Sequence, residues 1–152
     1  MKRLVILTLL MLAAAPWSGI IEARAQPAGD FTGLWKGTIR VFPCRPGLER
    51  GRCNAVNNIT FTIIQDGSKI SGNYTCSIGN YICRNGNADK TGKIVSGDAD
   101  GRNIRFNVMI PDDVSSCRYN GVSLAPGQMR GSYTCYQGGS IAEQGSFDVT
   151  RE

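Results

Sequence analysis

Residues 59–83 read ITFTIIQDGSKISGNYTCSIGNYIC and combine alternating apolar and polar residues with two turn signals. Apolar and polar residues alternate on both sides of Asp66-Gly67, as they do in two half-buried strands joined by a tight turn. Cys76 and Cys83 stand symmetrically about a second turn signal, Gly79-Asn80. Residues placed this way on a two-residue hairpin face each other with Cα atoms about 4.5–5.5 Å apart, which suits a disulfide. The stretch therefore predicts antiparallel strands joined by a cross-strand disulfide.

The remaining cysteines also bracket turn residues. Cys44 and Cys53 enclose Pro46-Gly47, and Cys117 and Cys135 are symmetric about Pro126. Six cysteines allow 15 connectivities, and from the turn geometry we predict three disulfides: Cys44–Cys53, Cys76–Cys83 and Cys117–Cys135. Each should stabilise the fold by about 2–3 kcal/mol, mainly by restricting the unfolded chain. A metal site is the weaker alternative, because the chain has no Cys-x-x-Cys motif and no histidine.

Period-two alternation recurs along the rest of the chain. Six segments show it clearly and two more show it weakly: 31–41, 59–63, 69–76, 104–110, 129–135 and 147–149, with 91–98 and 116–123 as the weaker pair. Short connections rich in glycine and asparagine favour pairing of each strand with the next. We predict an all-β fold, a single eight-stranded antiparallel up-and-down β-barrel, because closure removes both exposed sheet edges. A two-sheet sandwich built from the same strands is the alternative.

The first 25 residues have the features of an export signal. Lys2 and Arg3 precede an apolar run of about 12 residues, and Ala23-Arg24-Ala25 places small residues where a signal peptidase cleaves. About 20 apolar residues are needed to span a bilayer, so a membrane anchor is the weaker interpretation. We predict a signal peptide at 1–25, one barrel domain at 26–152, no membrane span after cleavage, and a periplasmic or secreted location.

The charge of the predicted mature domain argues against a nucleic-acid partner. Removing Lys2, Arg3, Arg24 and Glu22 from 17 basic and 12 acidic residues leaves 14 and 11, a net charge of +3. These charges are scattered rather than gathered into a basic stripe. A local concentration does occur between the first two cysteines: Arg45, Arg50 and Arg52. It is either a solvated loop or a partner-binding patch.

The chemistry available to a catalytic site is narrow. Without histidine there is no Ser-His or Cys-His nucleophile and no histidine-based metal catalysis. Asp112-Asp113 is a close carboxylate pair, so an enzyme using carboxylates alone remains an open hypothesis. No nucleotide-binding motif is present either. We predict no catalytic residue, no metal and no cofactor.

Two short motifs carry a resemblance to the calycin type of small barrel. Gly33-Leu34-Trp35 resembles the Gly-x-Trp that opens lipocalin barrels, and Phe31-Thr32-Gly33-Leu34-Trp35 is similar to the opening of avidin-like proteins. Ile70-Ser71-Gly72-Asn73-Tyr74 resembles the Gly-x-Tyr strand of the avidins. In lipocalins an arginine on the last strand packs over the opening tryptophan, and the resemblance implies this role for Arg151.

Three functional hypotheses follow. The first is an exported, non-enzymatic barrel that binds a small, largely apolar ligand in its interior. The residues predicted to line that interior are aromatic: Trp35, Phe61, Tyr74, Phe106, Tyr133 and Phe147. The same side chains could instead fill the core, since an eight-stranded barrel is just wide enough for either outcome. The second is a protein-binding module, such as an inhibitor of a secreted hydrolase, acting through loops 42–56 and 111–116. The third is the carboxylate enzyme.

Overall fold

A computed structural model of the chain describes residues 29–42, 56–77, 84–85, 88–111 and 115–152. The predicted signal peptide at 1–25 lies outside these ranges, as do Cys44, Cys53 and Cys83. Among the described residues, no helical segment has the length and hydrophobicity of a transmembrane span.

Nine β-strands make up the described structure: β1 Gly33–Val41, β2 Val56–Asp66, β3 Lys69–Cys76, β4 Arg84–Asn85, β5 Ala88–Asp100, β6 Asn103–Ile110, β7 Ser115–Ala125, β8 Gln128–Gln137 and β9 Ser140–Arg151. All eight segments predicted from the alternation are strands. The two-residue β4 was not predicted; it pairs with the start of β5.

The eight longer strands form one closed antiparallel barrel. Neighbours in the chain pair with each other from β1 to β3 and from β5 to β9. β9 then pairs with β1, and β3 pairs with β5, so every one of these strands has two neighbours. The prediction of an up-and-down barrel is confirmed, and the two-sheet sandwich is excluded.

The two ends of the barrel differ. At one end, called the turn end, tight turns join β2 to β3, β5 to β6, and β7 to β8. Gly67 and Gly101 occupy two of these turns with φ of +58° and +57°, a conformation that glycine adopts without a steric penalty. At the other end, the loop end, β1 and β6 finish and β2 and β7 begin.

The register confirms one predicted disulfide. Cys117 and Cys135 are directly opposed on β7 and β8, with Cα atoms 4.0 Å apart, and their sulfurs are bonded. Cys76 is also disulfide-bonded. The bonds to Cys83 and between Cys44 and Cys53 remain predictions.

Inward-facing residues of all eight strands form a continuous apolar core. Glycines share this inner face wherever a side chain would meet a neighbouring strand. A Cβ on Gly37 would lie 2.0 Å from the carbonyl oxygen of Asp148, and one on Gly131 would lie 2.0 Å from that of Asn120. Gly37 therefore lets the backbones of β1 and β9 approach closely, and Gly131 also leaves room for the ring of Phe147, whose Cε1 would lie 2.6 Å from an added Cβ.

Candidate functional site

The six aromatic residues predicted to line the interior all lie inside the barrel. Each is at most 3% exposed: Trp35, Phe61, Tyr74, Phe106, Tyr133 and Phe147. Phe61 lies among four other rings, with centroid distances of 5.1–6.0 Å. The middle of the barrel is therefore occupied by rings in mutual contact.

Tyr119 on β7 is the residue that joins these rings, and it was missed in the sequence. Its ring contacts those of Phe61, Tyr74, Phe106, Tyr133 and Phe147 at centroid distances of 5.1–6.1 Å. A signal for it was present, because the predicted Cys117–Cys135 bond turns Cys117 inward and residues two apart on a strand share a face.

A polar group lies within this interior, which we call the tyrosine–glutamate cluster: Tyr74, Tyr119, Tyr133 and Glu143. The Tyr133 hydroxyl donates a hydrogen bond to Glu143 Oε1, and Tyr74 and Tyr119 hydrogen-bond to each other. Glu143 is 9% exposed and lies on β9, three residues from its start at the loop end. The cluster therefore places a carboxylate and three hydroxyls inside an otherwise apolar barrel.

Burial is the main cause of the altered titration of these tyrosines. It raises the pKa of Tyr133, and the negative charge of Glu143 raises it further. Burial likewise raises the pKa of Tyr74 and of Tyr119, again with a contribution from Glu143. All three hydroxyls are protonated at neutral pH, so they can act as hydrogen-bond donors as well as acceptors.

Asn57 on β2 is a second inward-facing polar residue, and it is 2% exposed. Within the described ranges, neither its Nδ2 nor its Oδ1 has a hydrogen-bond partner. A buried polar group without a partner costs about 1–3 kcal/mol. The predicted strand began at Ile59, and β2 begins at Val56, so Asn57 was not recognised as an interior residue.

The turn end is closed by Trp35 and Arg151. The Arg151 guanidinium carbon lies 5.5 Å from the centroid of the Trp35 ring, and Trp35 Nε1 donates to the carbonyl of Phe31 at 2.8 Å. Arg151 Nη1 also donates to the carbonyls of Asp30 and Thr32, at 3.0 and 3.1 Å. The packing of Arg151 over Trp35, which the calycin resemblance implied, is confirmed.

Asp30 completes this closure. Its carboxylate lies 3.2 Å from Arg151 Nη1. The backbone N–H of Thr32 donates to Asp30 Oδ1 and is the main reason that the pKa of this carboxyl lies below its usual value, with a further contribution from Arg151.

An open cleft of about 440 Å³ lies beside this closure, lined in part by Phe31, Trp35 and Leu124. Arg102 lies on its wall and donates to the carbonyls of Ser123 and Leu124 at 2.6–3.0 Å. These bonds hold the β7–β8 turn in place, so the guanidinium already has a structural role.

Other predicted functional residues lie outside the described ranges: Arg45, Arg50, Arg52, Asp112 and Asp113. The described parts of the two predicted loops are Phe42, Val56, Pro111, Ser115 and Ser116.

Comparison with protein-family models, with curated proteins and with solved structures found no match to this chain.

Proposed function

We propose that this protein is an exported, non-enzymatic binding module of the calycin type. It holds one small, largely apolar ligand at the loop end of the barrel, with the interior rings as the floor of the site. The observation that carries this proposal is the asymmetry of the interior. The turn end is closed by Trp35 and Arg151, whereas Glu143 and Asn57 bring polar groups to the inner face near the loop end.

The packed rings determine where such a ligand can bind. Because Phe61 and Tyr119 already contact most of the other interior rings, the middle of the barrel is filled. A ligand would therefore lie above this layer and contact Tyr74 and Tyr133 from the loop end. Small-molecule sites combine an apolar lining with a few placed polar groups, and this end of the interior supplies both.

Native mass spectrometry of protein produced in an oxidising periplasm is the first test. We expect a mature chain beginning at Gln26, accompanied by a discrete additional mass that is lost on denaturation. A chain that retains residues 1–25 would contradict export. A bare mass, together with no saturable binding of the fluorescent apolar probe N-phenyl-1-naphthylamine, would contradict ligand binding.

A pair of variants locates the site. Glu143→Gln replaces a carboxyl acceptor near the loop end, to which the N–H of the probe can donate, with a weaker amide acceptor and should weaken probe binding, whereas Arg102→Gln changes the cleft at the turn end and should not. The reverse result would move the ligand to the turn-end cleft.

A protein partner is the second candidate, and it is favoured by exposed apolar side chains around the loop end. Phe42, Val56 and Ile141 are 48%, 44% and 55% exposed. A partner such as a secreted hydrolase would cover them, and the predicted partner-binding residues Arg45, Arg50 and Arg52 belong to the chain segment between β1 and β2.

This candidate has its own test. A protein retained from the extracellular medium by the wild type should be lost with Phe42→Ser and with joint alanine substitution of the three arginines. Ile64→Ser is the matched control, since Ile64 is 54% exposed and lies near the turn end of β2. Equal retention by all of these variants would exclude the loop end as the interface.

A further inference from the structure

Asn57 lies in a row of apolar residues. The inward positions of β2 are Asn57, Ile59, Phe61 and Ile63, and all are buried. On the neighbouring strand β1, the residue directly opposite Asn57 is Ile39, which is 1% exposed. The amide is therefore surrounded on its own strand and on the next by hydrocarbon, where a leucine or isoleucine would continue the pattern.

Among the described residues, the side-chain amide of Asn57 takes no part in the hydrogen bonding of the fold. Strand pairing beside it is made by the backbone; for example, the carbonyl of Asn58 accepts a hydrogen bond from the N–H of Ser77 at 3.0 Å. Within the described ranges, both polar atoms of the Asn57 side chain lack a partner. The orientation of the amide does not change this result, because exchanging Nδ2 and Oδ1 leaves two unpaired atoms in either case.

We propose that Asn57 is a ligand-binding residue whose side-chain amide pairs with a group that carries a hydrogen-bond acceptor next to a donor. A carboxamide, a lactam and a urea all have this arrangement, since each can accept from Nδ2–H and donate to Oδ1 at once. The apolar body of such a molecule would lie against Ile39 and Ile59. This inference rests on the proposed function and names the polar part of its ligand.

The test compares two probes of nearly the same shape on the uniformly 15N-labelled mature protein. Benzamide has both the acceptor and the donor, whereas acetophenone has the acceptor alone. We expect saturable movement of the Asn57 side-chain NH2 signals with benzamide. We also expect the preference for benzamide over acetophenone to fall about tenfold in Asn57→Leu, the effect of losing about one buried hydrogen bond.

Two further variants keep the result interpretable. Asn58→Leu is the matched control, since Asn58 is the exposed neighbour on the same strand, and it should leave the preference unchanged. Asn57→Asp, in its ionised form, keeps an acceptor for the benzamide N–H and removes the donor that both probes use, so it should raise the preference for benzamide and serves as the test if Asn57→Leu does not fold.

The outcomes separate this inference from the proposed function. Binding of both probes at the loop end with unmoved Asn57 signals, or an unchanged preference in the Asn57 variants, would overturn the role of Asn57 alone. That result is expected if the Asn57 side chain binds only water or has no ligand. Saturable binding of acetophenone without any binding of benzamide would also overturn it. If neither probe binds and no co-purified mass is found, the proposed function fails as well.

Discussion

The side chain of Arg151 closes the turn end of the barrel. Its guanidinium lies over the Trp35 ring, bonds the carbonyls of Asp30 and Thr32, and is 30% exposed. Cation–π contacts of this kind contribute about 0.5–2 kcal/mol, and each hydrogen bond to a charged group adds about 1.5–3 kcal/mol before the competition of solvent is counted.

We therefore expect Arg151→Met to lower the free energy of unfolding by about 1–3 kcal/mol in urea denaturation. Arg130→Met is the matched control. Arg130 forms an ion pair with Asp148 on the outer face, where both side chains are more than half exposed, and such pairs contribute about 0–1 kcal/mol. Equal effects of the two substitutions would show that the contact with Trp35 adds no stability.

The buried tyrosines set the alkaline limit of stability. The pKa values of Tyr74, Tyr119 and Tyr133 are raised in the folded protein, so the folded state retains protons that the unfolded chain loses above its pKa of about 10. The stability that these tyrosines contribute is complete below about pH 10. It decreases as the pH rises from there towards their raised pKa values in the folded protein. The decrease is about 1.4 kcal/mol per pH unit for each such tyrosine.

The expected result is a free energy of unfolding that falls steeply above pH 10. Tyr119→Phe should make this fall less steep, because it removes one of the titrating groups. Tyr136→Phe is the control, since Tyr136 lies on an outward position of β8. Urea denaturation followed by circular dichroism between pH 8 and 11 gives both slopes, and identical slopes for the wild type and Tyr119→Phe would contradict the interpretation.

At the scale of elements, the β7–β8 hairpin is joined across its inner face by Cys117–Cys135. The two residues are 18 apart in the chain, and both are buried. A disulfide that closes a loop of this length stabilises a protein by about 3 kcal/mol through restriction of the unfolded chain.

The double variant Cys117→Ala/Cys135→Ala should lose about 2–4 kcal/mol of stability while retaining the strand signal in circular dichroism. Arg118→Ala/Thr134→Ala is a matched control, because these residues are the next opposed pair on the same two strands. It should lower the free energy of unfolding by less than about 1 kcal/mol. An unchanged free energy of unfolding in the cysteine variant would show that the unfolded chain is not restricted by this bond.

At the scale of the whole molecule, the pairing of β3 with β5 closes the barrel. Its register shifts between Lys69 and Gly72, whereas β2–β3 pairs continuously from Ile59 to Asp66. A closed sheet has no edge strand, so the amides of β3 and β5 should be hydrogen-bonded on both sides of each strand.

Hydrogen exchange tests this closure. The amides of Asn73, Tyr74 and Thr75 should exchange as slowly as those in the middle of β8, because both sets open only with the whole barrel. The turn at Gly138-Gly139 provides the rapidly exchanging reference. If the β3 amides exchanged at the rate of that turn while β8 stayed protected, the barrel would be open between β3 and β5 in solution.

The site residues that were not predicted lie in strand segments where apolar and polar residues do not alternate. Glu143 lies between Gln144 and Ala142 in a segment whose apolar signal begins only at Phe147, so β9 was predicted as 147–149 and spans Ser140–Arg151. Asn57 was missed for the same reason at the start of β2. Local hydrophobicity cannot place a polar side chain inside a barrel, because its burial depends on strands that are distant in the chain.

The amino-acid pattern alone was enough to predict the eight strands, the direction of their inward faces and the opposition of Cys117 and Cys135, because side chains alternate along a strand and tight turns pair near neighbours. The pairing of β3 with β5, the contacts of Tyr119 with the other rings, and the burial of Asn57 and Glu143 became visible only in the folded chain. These features arise from contacts between residues far apart in sequence, which form only when the sheet closes on itself.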